Sequence, residues 1–287
     1  MGVLDEVELV GPAIEHLFHI GVDRVIVFDM GSTDGTLAAV EAREGPAVEL
    51  HRLRNDLPWD ELRVRTVEAI RARPADWVLF QDADEFWLPA GGSLRACDSL
   101  ARADIVQVPR YNVAVDAVDG VRMPVPPAPE HYPGIEMYTR KIADFRRHMA
   151  ENPDTPWIAG VPAAKVIARA DCIDEVTMGS HNVEAAAGRP VRRVVANDML
   201  IAHVPVSSAE RFQRRADNIC EFMRLNPGYL VGAQGWHWKR LHQLALEGRV
   251  EEEYACQLTD AAGRAALRES GVLATAAEML SLAAQRA

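Results

Sequence analysis

No stretch of this 287-residue sequence is apolar for anything near the roughly 20 residues needed to cross a bilayer. No charged-then-apolar leader opens it either, so neither a membrane span nor a signal peptide is predicted. These absences lead to the expectation of a soluble, cytoplasmic protein. Cysteine is scarce: Cys97, Cys172, Cys220 and Cys256 are widely separated and never form a C-x-x-C pair. That argues against a zinc site or a disulfide framework, and reduced, core-filling thiols are expected. Basic charge is also in short supply. With 31 Lys and Arg against 42 Asp and Glu, the formal net charge is −11, which does not suit a nucleic-acid binder. Internal repeats and low-complexity tracts are lacking too.

What is present is an ordinary globular composition, 48% hydrophobic and 25% charged. The length suits one large α/β domain or a core with an appendage. The first half alternates helix and strand signals. "VGPAIEHLFHIG" carries Val10, Ile14, Leu17 and Ile20 at helical spacing and closes on Gly21. "RVIVFD" is a short apolar strand of the kind buried on both faces of a parallel sheet. A turn-rich "MGSTDGT" precedes a helix through "LAAVEAR". "VELHRL", "WVLFQD" and "ADIVQVPR" read as further strands, with a helix over 62–73. This βαβ series predicts a mostly parallel sheet with helices on its faces.

The middle is different. "RMPVPPAPEHYPG" (122–134) has too many prolines for a regular element and reads as a loop, a candidate lid. Irregular structure with short strands is expected from there to "PAAKVIARADCI". "MLIAHVPV" looks like a last strand. From "SSAERFQRRADNICEFMRL" onward the pattern is helical, opened by a Ser cap and followed by two or three more helices.

Two motifs carry chemistry, and both fall where strands of a parallel sheet end, the edge at which such sheets bind ligands. In "FDMGSTDGT", Asp29 closes a strand and Gly31 and Gly35 permit tight turning. In "VLFQDADEFW", Asp82, Asp84 and Glu85 crowd three carboxylates into four residues. Such crowding calls for a cation, because buried carboxylates need partners. Oxygen ligands suit Mg²⁺ or Mn²⁺, held by one or two carboxylates plus substrate phosphates. Taken alone, "GSTDGT" reads equally well as a capped strand-to-helix turn, and "DAD" as an acidic loop end. Their order within one βαβ series favours the joint functional reading.

The segment "LDEVELVGPAIEHLFHIGVDRVIVFDMGSTDGT", followed by "WVLFQDADEFW", resembles the family 2 type of glycosyltransferase with the GT-A fold. The closest resemblance is to the branch reading NE…DnGStDGT…DaDEF. The match covers roughly 4–110 well and continues more loosely through "KVIARA", "AHVPVSS" and "GWHWK". The resemblance implies a Rossmann-like sheet flanked by helices. It implies a catalytic domain over 1–206, with a nucleotide-binding half (1–110) and an acceptor half (111–206), and a C-terminal helical extension (207–287).

By motif, the resemblance gives Asp29 contact with the nucleotide's base or ribose, within a loop of Gly31, Ser32 and Asp34. Asp82 and Ala83 face the ribose and donor. Asp84 is the chief ligand of a divalent metal, which Asp82 also reaches through water, and Glu85 supports the motif. Asp5 and Glu6 stand where the branch has Asn-Glu, after a strand only "MGVL" long. His203 ends a strand where the branch commonly has His and is a candidate third ligand; His181 is a further one. His16 and His19 read as structural. Trp236 and His237 of "GWHWK" are candidates to stack on a sugar, with helix packing the bland alternative.

The function implied is metal-dependent, inverting transfer of a sugar from a nucleotide-diphosphate sugar to a hydroxyl or amine acceptor, using Mn²⁺ or Mg²⁺. UDP is the commonest nucleotide for such sites. The acceptor, small molecule or glycan, stays open, and so does oligomeric state. For the general base, Glu130 and His131 in the candidate lid lead over Asp144, Asp171, Asp174 and Glu175. Two rival readings are a metal-dependent phosphotransferase or phosphatase and a non-catalytic sugar-nucleotide binder.

Overall fold

The computed structural model describes residues 1–54, 59–117, 120–121, 129–230 and 235–285. The chain opens with β1 (Gly2–Val3), α1 (Val10–His19), β2 (Val25–Asp29), α2 (Thr36–Glu41), β3 (Val48–Arg52) and α3 (Trp59–Arg71). β1, β2 and β3 are parallel, with β2 in the middle and registers Gly2↔Phe28 and Val27↔Leu50. α1 buries Val10, Ala13, Ile14 and Leu17, positions spaced at i, i+3, i+4 and i+7; Val10, Ile14 and Leu17 share a core with the sheet and Trp87, and Ala13 one with Phe86 and Leu88.

The next elements are β4 (Trp77–Leu79), β5 (Glu85–Pro89), α4 (Asp98–Ala101), β6 (Ile105–Val108), β7 (Arg110–Asn112), β8 (Val115–Asp116), β9 (Gly120–Val121) and β10 (Glu136–Tyr138). Then come α5 (Phe145–Glu151), β11 (Lys165–Arg169), β12 (Glu175–Val176), β13 (Val183–Glu184), β14 (Arg193–Val195) and β15 (Met199–His203). The expected mostly parallel sheet is in fact mixed. β4 and β6 do run in the same direction, but β11 lies antiparallel between them, with Ile167 facing both Leu79 and Val106. β15 is parallel to β7 and antiparallel to β5. Apolar runs such as "KVIAR" report burial on both faces, not strand direction, so the sequence pattern is blind to this insertion. The region expected to be irregular also contains the helix α5.

The C-terminal part holds α6 (Ala209–Leu225), α7 (Trp236–Leu246), α8 (Val250–Gln257), β16 (Leu258–Thr259), α9 (Ala261–Glu269), β17 (Leu273–Thr275) and α10 (Ala276–Gln285). The expected Ser cap is Ser208, whose Oγ accepts from the Arg211 N–H at 3.0 Å. The tail is helical but not separate. β16 pairs with β8 and β17 with β10, and Phe212, Ala216, Ile219 and Met223 of α6 share a core with Tyr138 and Ile158. Residues 122–128 of the Pro-rich segment lie outside the described residues; 129–134 form a 3-10 turn. No described helix is long and apolar enough to cross a membrane. All four cysteines are free thiols, Cys97 and Cys172 buried.

His16 shows what burial costs a titratable group. It is fully enclosed on α1 and its Nε2 donates to the Trp87 carbonyl at 2.7 Å. Burial pushes its pKa down to about 4. The unfolded chain, with an ordinary imidazole, binds more protons between pH 6.5 and 4, so stability is full above that window and falls as pH drops through it. His16→Gln keeps a donor without the titration. Denaturant titrations at pH 7 and 4.5 are expected to show less acid destabilisation in the variant, by about 2 kcal/mol. An unchanged difference would remove His16 as the cause.

Candidate functional site

The site is built where β1, β2 and the strand-end of β4 reach one edge. A bridge between Gly2 and Asp82 joins the first sheet to the D-x-D segment. The loop after β2 is tied to the loop after β1 by reciprocal hydrogen bonds. Asp5 N–H donates to Ser32 Oγ (2.9 Å), Glu6 N–H to Thr36 Oγ1 (2.7 Å) and Val7 N–H to Asp34 Oδ2 (3.1 Å). In return Asp5 Oδ1 accepts from Thr33 N–H at 2.6 Å. Asp5 has φ +55°, a left-handed conformation that Asp and Asn tolerate better than most residues. Its second oxygen accepts from Asn218 Nδ2 at 3.0 Å, so one oxygen ties the two loops together and the other ties them to α6. Asp34 is equally engaged. Burial raises its carboxyl, but hydrogen bonds from Thr36 and Val7 outweigh that and hold it below the ordinary value. Asp34 Oδ1 accepts from the Thr36 N–H (2.9 Å) and Oγ1 (2.5 Å), closing the turn before α2, whose N-cap is Gly35 and has no side-chain cap.

Asp29 differs. It is 2% exposed, and its Oδ2 accepts from the N–H groups of Gly31 (3.2 Å) and Ser32 (3.3 Å). Gly31 makes this turn at φ +91°, where a side chain would be strained. Asp29 Oδ1 is buried and has no donor among the described residues. A buried carboxylate oxygen without a donor is costly, and a ligand N–H or O–H would relieve it.

The three carboxylates of the D-x-D segment meet the chain's own cations. Lys165 Nζ, fully buried at the start of β11, lies 2.8 Å from Asp82 Oδ2 and 3.5 Å from Glu85 Oε1. Arg110 on β7 also pairs with Glu85 Oε1. Glu85 Oε2 accepts from the Asp82 N–H at 3.0 Å. Complete burial pushes the Glu85 carboxyl up, against the pull of Lys165 and Arg110. Glu85 thus braces the segment from inside.

Asp84 Oδ2 sits among Arg211 Nη2 (3.3 Å), Arg215 Nη1 (3.3 Å) and His203 Nε2 (3.4 Å). The His203 tautomer follows from Asn112. Asn112 Nδ2 donates to the carbonyls of Ile158 (2.8 Å) and Gly160 (2.7 Å), which turns its Oδ1 toward His203 Nδ1 at 2.6 Å. Nδ1 therefore carries a proton. Burial lowers the His203 pKa to about 4, so at neutral pH the imidazole is uncharged and Nε2 presents a lone pair to Asp84. The anionic form of Asp84 is then held by the two arginines. A lone pair facing a carboxylate, with the other ring nitrogen anchored, is the arrangement of a metal-ligating His. One nitrogen and one carboxylate fit a divalent cation whose other positions are filled by phosphate oxygens and water. Among the described residues no set of three or more His, Cys, Asp or Glu gathers for a metal, so a cation there needs the ligand's own oxygens.

The other candidates are distributed as follows. His181 lies on the Lys165 side, with Nδ1 3.0 Å from the Ala164 carbonyl, and burial lowers its pKa. His237 stacks on Trp157 with ring centroids 6.0 Å apart, and Trp236 meets Phe145 edge-on at 5.9 Å. Trp238 packs on Phe222 at 5.3 Å, the helix-packing alternative. Burial, then the positive field of Arg215, pushes His237 down to about 3. His131 is exposed, and the Glu130 side chain lies outside the described residues. Asp144 caps α5 through the Arg147 N–H at 3.3 Å. Asp171 pairs with Arg189, Asp174 with Arg71, and Glu175 lies 4.0 Å from Arg63. These last three follow Arg169, the end of β11, which lies about 13 Å along the strand from Lys165 at 3.3 Å per residue.

The sequence reading missed Lys165, Arg110, Asn112 and, above all, α6. Arg211, Arg214, Arg215 and Asn218 fall at i, i+3, i+4 and i+7, one face of the helix. That polar stripe touches both loops. Arg211 donates to Glu6 (2.6 and 3.0 Å) and to Asp84, while Arg214 lies 3.7 Å from Asp34. The spacing was readable in "RFQRRADN" as a signal separate from the apolar face.

No family model and no curated protein matches the chain. Among solved structures, S. aureus TarS 1–349 in complex with UDP is 12% identical with a TM-score of 0.36, over 84% of this chain and 67% of that one. S. aureus TarS 1–349 is 14% identical with a TM-score of 0.39, over 94% and 90%. A mycobacterial protein is 17% identical with a TM-score of 0.33, over 78% and 72%. Likenesses this distant assign no activity.

The charge balance at Asp84 has a measurable consequence. Asp84→Asn leaves Arg211 and Arg215 facing a neutral group in a buried setting, so thermal unfolding should show a loss of about 2–4 kcal/mol. Relief of repulsion among Asp82, Asp84 and Glu85 predicts the opposite sign. An Asp84→Asn melting temperature above wild type would show that the carboxylates, not the arginines, dominate there.

Proposed function

We propose that this chain transfers a sugar from a nucleotide-diphosphate sugar, with UDP the favoured nucleotide, to a hydroxyl or amine acceptor, with inversion and with Mn²⁺ or Mg²⁺ bound. The observation that carries this reading is the unpartnered, buried Asp29 Oδ1 on the same edge as the Asp84–His203 pair. Val3 pairs with Asp29 and Gly2 bridges Asp82, so the end of β2 and the start of the D-x-D segment lie two strand spacings, about 10 Å, apart. That is the reach of a nucleoside diphosphate.

In this reading Asp29 Oδ1 accepts a hydrogen bond from the base or ribose and so orients the nucleoside. Asp84 and His203 Nε2 would hold the divalent cation, which supplies charge neutralisation for the departing diphosphate. Asn112 keeps the His203 lone pair directed at that position. Arg215, part-exposed beside Asp84, offers its guanidinium to a phosphate oxygen. Arg211 is engaged by Glu6 and keeps the loop after β1 in place. The acceptor's proton goes to a carboxylate or imidazole on the acceptor side, for which Glu130 and His131 stay the candidates. In the same reading Trp236 and His237 would border the sugar.

The test is a thermal-shift and isothermal titration series of UDP and UDP-sugars, with and without Mn²⁺. Mn²⁺-dependent UDP binding is expected in the wild type. His203→Ala should weaken it about tenfold or more, while metal-free UDP binding changes little. Asp29→Asn should weaken UDP binding with and without metal alike. UDP binding that ignores both substitutions would overturn the reading, and binding without transfer or hydrolysis across an acceptor panel would make the protein a sugar-nucleotide binder.

A further inference from the structure

Full enclosure of a lysine ammonium is costly unless other oxygens replace its water. Lys165, at the start of β11, has 0% of its side chain exposed, and oxygens from three separate segments take that role. Asp82 Oδ2 lies at 2.8 Å, the Gly179 carbonyl at 3.1 Å and Glu85 Oε1 at 3.5 Å. Burial alone lowers the pKa of such an amine, but the charges of Asp82 and Glu85 outweigh it, and the group stays an ammonium. The carbonyl is put there by a closed turn. Thr177 N–H donates to the Asn182 carbonyl and Asn182 N–H to Thr177 Oγ1, both at 3.0 Å, and between them Gly179 takes φ +68°. A side chain at Gly179 would come within 2.9 Å of the His181 ring, in a backbone conformation that favours glycine in any case.

Two carboxylates and a carbonyl are the oxygen set of a hard divalent cation. A strand end that carries Asp82, Asp84 and Glu85 has carboxylate oxygens enough for two such ions, the arrangement of two-metal phosphoryl transfer. Here the chain itself takes one of the two places. Asp82 Oδ2 faces the Lys165 ammonium, and Glu85 Oε1 faces both that ammonium and Arg110. Asp84 is held less closely: its contacts with Arg211, Arg215 and His203 are 3.3–3.4 Å long, and His203 is uncharged at neutral pH. We propose that Lys165 is a resident cation, which fills the Asp82–Glu85 position that a second divalent ion would otherwise occupy and limits the site to one exchangeable metal. That metal, at Asp84 and His203, rests on the proposed function; the exclusion of Asp82 as a metal ligand goes beyond it. A site limited in this way suits neutralisation of a departing diphosphate. It does not suit a two-ion clamp on the attacking and leaving oxygens of a phosphoryl group.

The first comparison uses the full chain without nucleotide, as wild type, Lys165→Met and Lys165→Met/Asp82→Asn. Without metal, Lys165→Met should melt below wild type, because Asp82 and Glu85 lose a counter-charge. Mn²⁺ at about 1 mM should then raise its melting temperature by about 3 °C more than it raises that of wild type, and the double variant should lose this gain. The second comparison adds UDP and counts bound Mn²⁺ from the electron paramagnetic resonance signal of the free ion. One Mn²⁺ per chain is expected in wild type and two in Lys165→Met. If wild type shows no Mn²⁺-dependent UDP binding, the proposed function fails, while the nucleotide-free comparison still decides the role of Lys165. Should Lys165→Met fold only when refolded with Mn²⁺, the ion has replaced the ammonium and the proposal stands; failure to fold with Mn²⁺ as well overturns it. An absent Mn²⁺ gain, a gain that survives Asp82→Asn, or two Mn²⁺ per wild-type chain would overturn it equally.

Discussion

Neutralisation of the acidic strand end organises the rest of the molecule. Four carboxylates, Glu6, Asp82, Asp84 and Glu85, meet four cations, Arg110, Lys165, Arg211 and Arg215, within one edge of the sheets. None of these cations is local in sequence to Asp82–Glu85. Arg110 arrives on β7, Lys165 on β11, and the other two on α6. Burying any one of these charges alone would cost several kcal/mol, so the segments that bear them must assemble together. The antiparallel insertion of β11 between β4 and β6 brings Lys165 to Asp82, and the return of α6 across the edge brings Arg211 to both Glu6 and Asp84.

The neutralisation is uneven, and the unevenness separates bracing from chemistry. Glu85 is fully enclosed, its oxygens taken by Arg110, Lys165 and the Asp82 amide. A group so completely satisfied has no bonding capacity left for a ligand. Asp84 is held only by contacts of 3.3–3.4 Å, long for charge-assisted hydrogen bonds. One of its neighbours is the unprotonated face of His203. Asp82 is ion-paired, yet its side chain keeps 52% of its surface open. The members of the D-x-D segment with bonding capacity left are therefore the two aspartates, with the glutamate behind them.

The sequence made visible the parts of this site whose signal is local. Asp29 at a strand end, the glycines that turn the chain after it, and the acidic run after an apolar strand can each be read within ten residues. The α1 stripe and the Ser208 cap are local in the same sense, and His203 was legible as a strand end before a helix. The counter-charges were not, because they depend on which strands become neighbours. Lys165 in "AAKVIARA" looks like an isolated cation in an apolar strand until β11 is placed beside β4. The same limit hid the mixed strand directions, since a strand buried on both faces shows no alternation from which orientation can be read. The α6 stripe is the exception. Its spacing was present in the sequence but overshadowed by the apolar face of the same helix.

The two ends of the candidate site belong to different sheets, and this makes the joint between those sheets part of the site. Asp29 and the loops around it belong to the β1–β2–β3 sheet; Asp84 precedes β5, whose partner β15 carries His203. Two features span the joint: the Gly2–Asp82 bridge and the α6 face that touches Asp5, Glu6, Asp34 and Asp84. On the far side of the bridge the sheets part around the cavity that Gln81 lines. A ligand that needs Asp29 and Asp84 at one spacing depends on how firmly this joint is held. α6 holds it with charge, through Arg211 on Glu6 and Asp84 and Arg214 beside Asp34. Because Gln81 and Asp82 are consecutive residues after the same strand, the packing around the cavity that Gln81 lines also bears on where the first aspartate of the D-x-D segment stands.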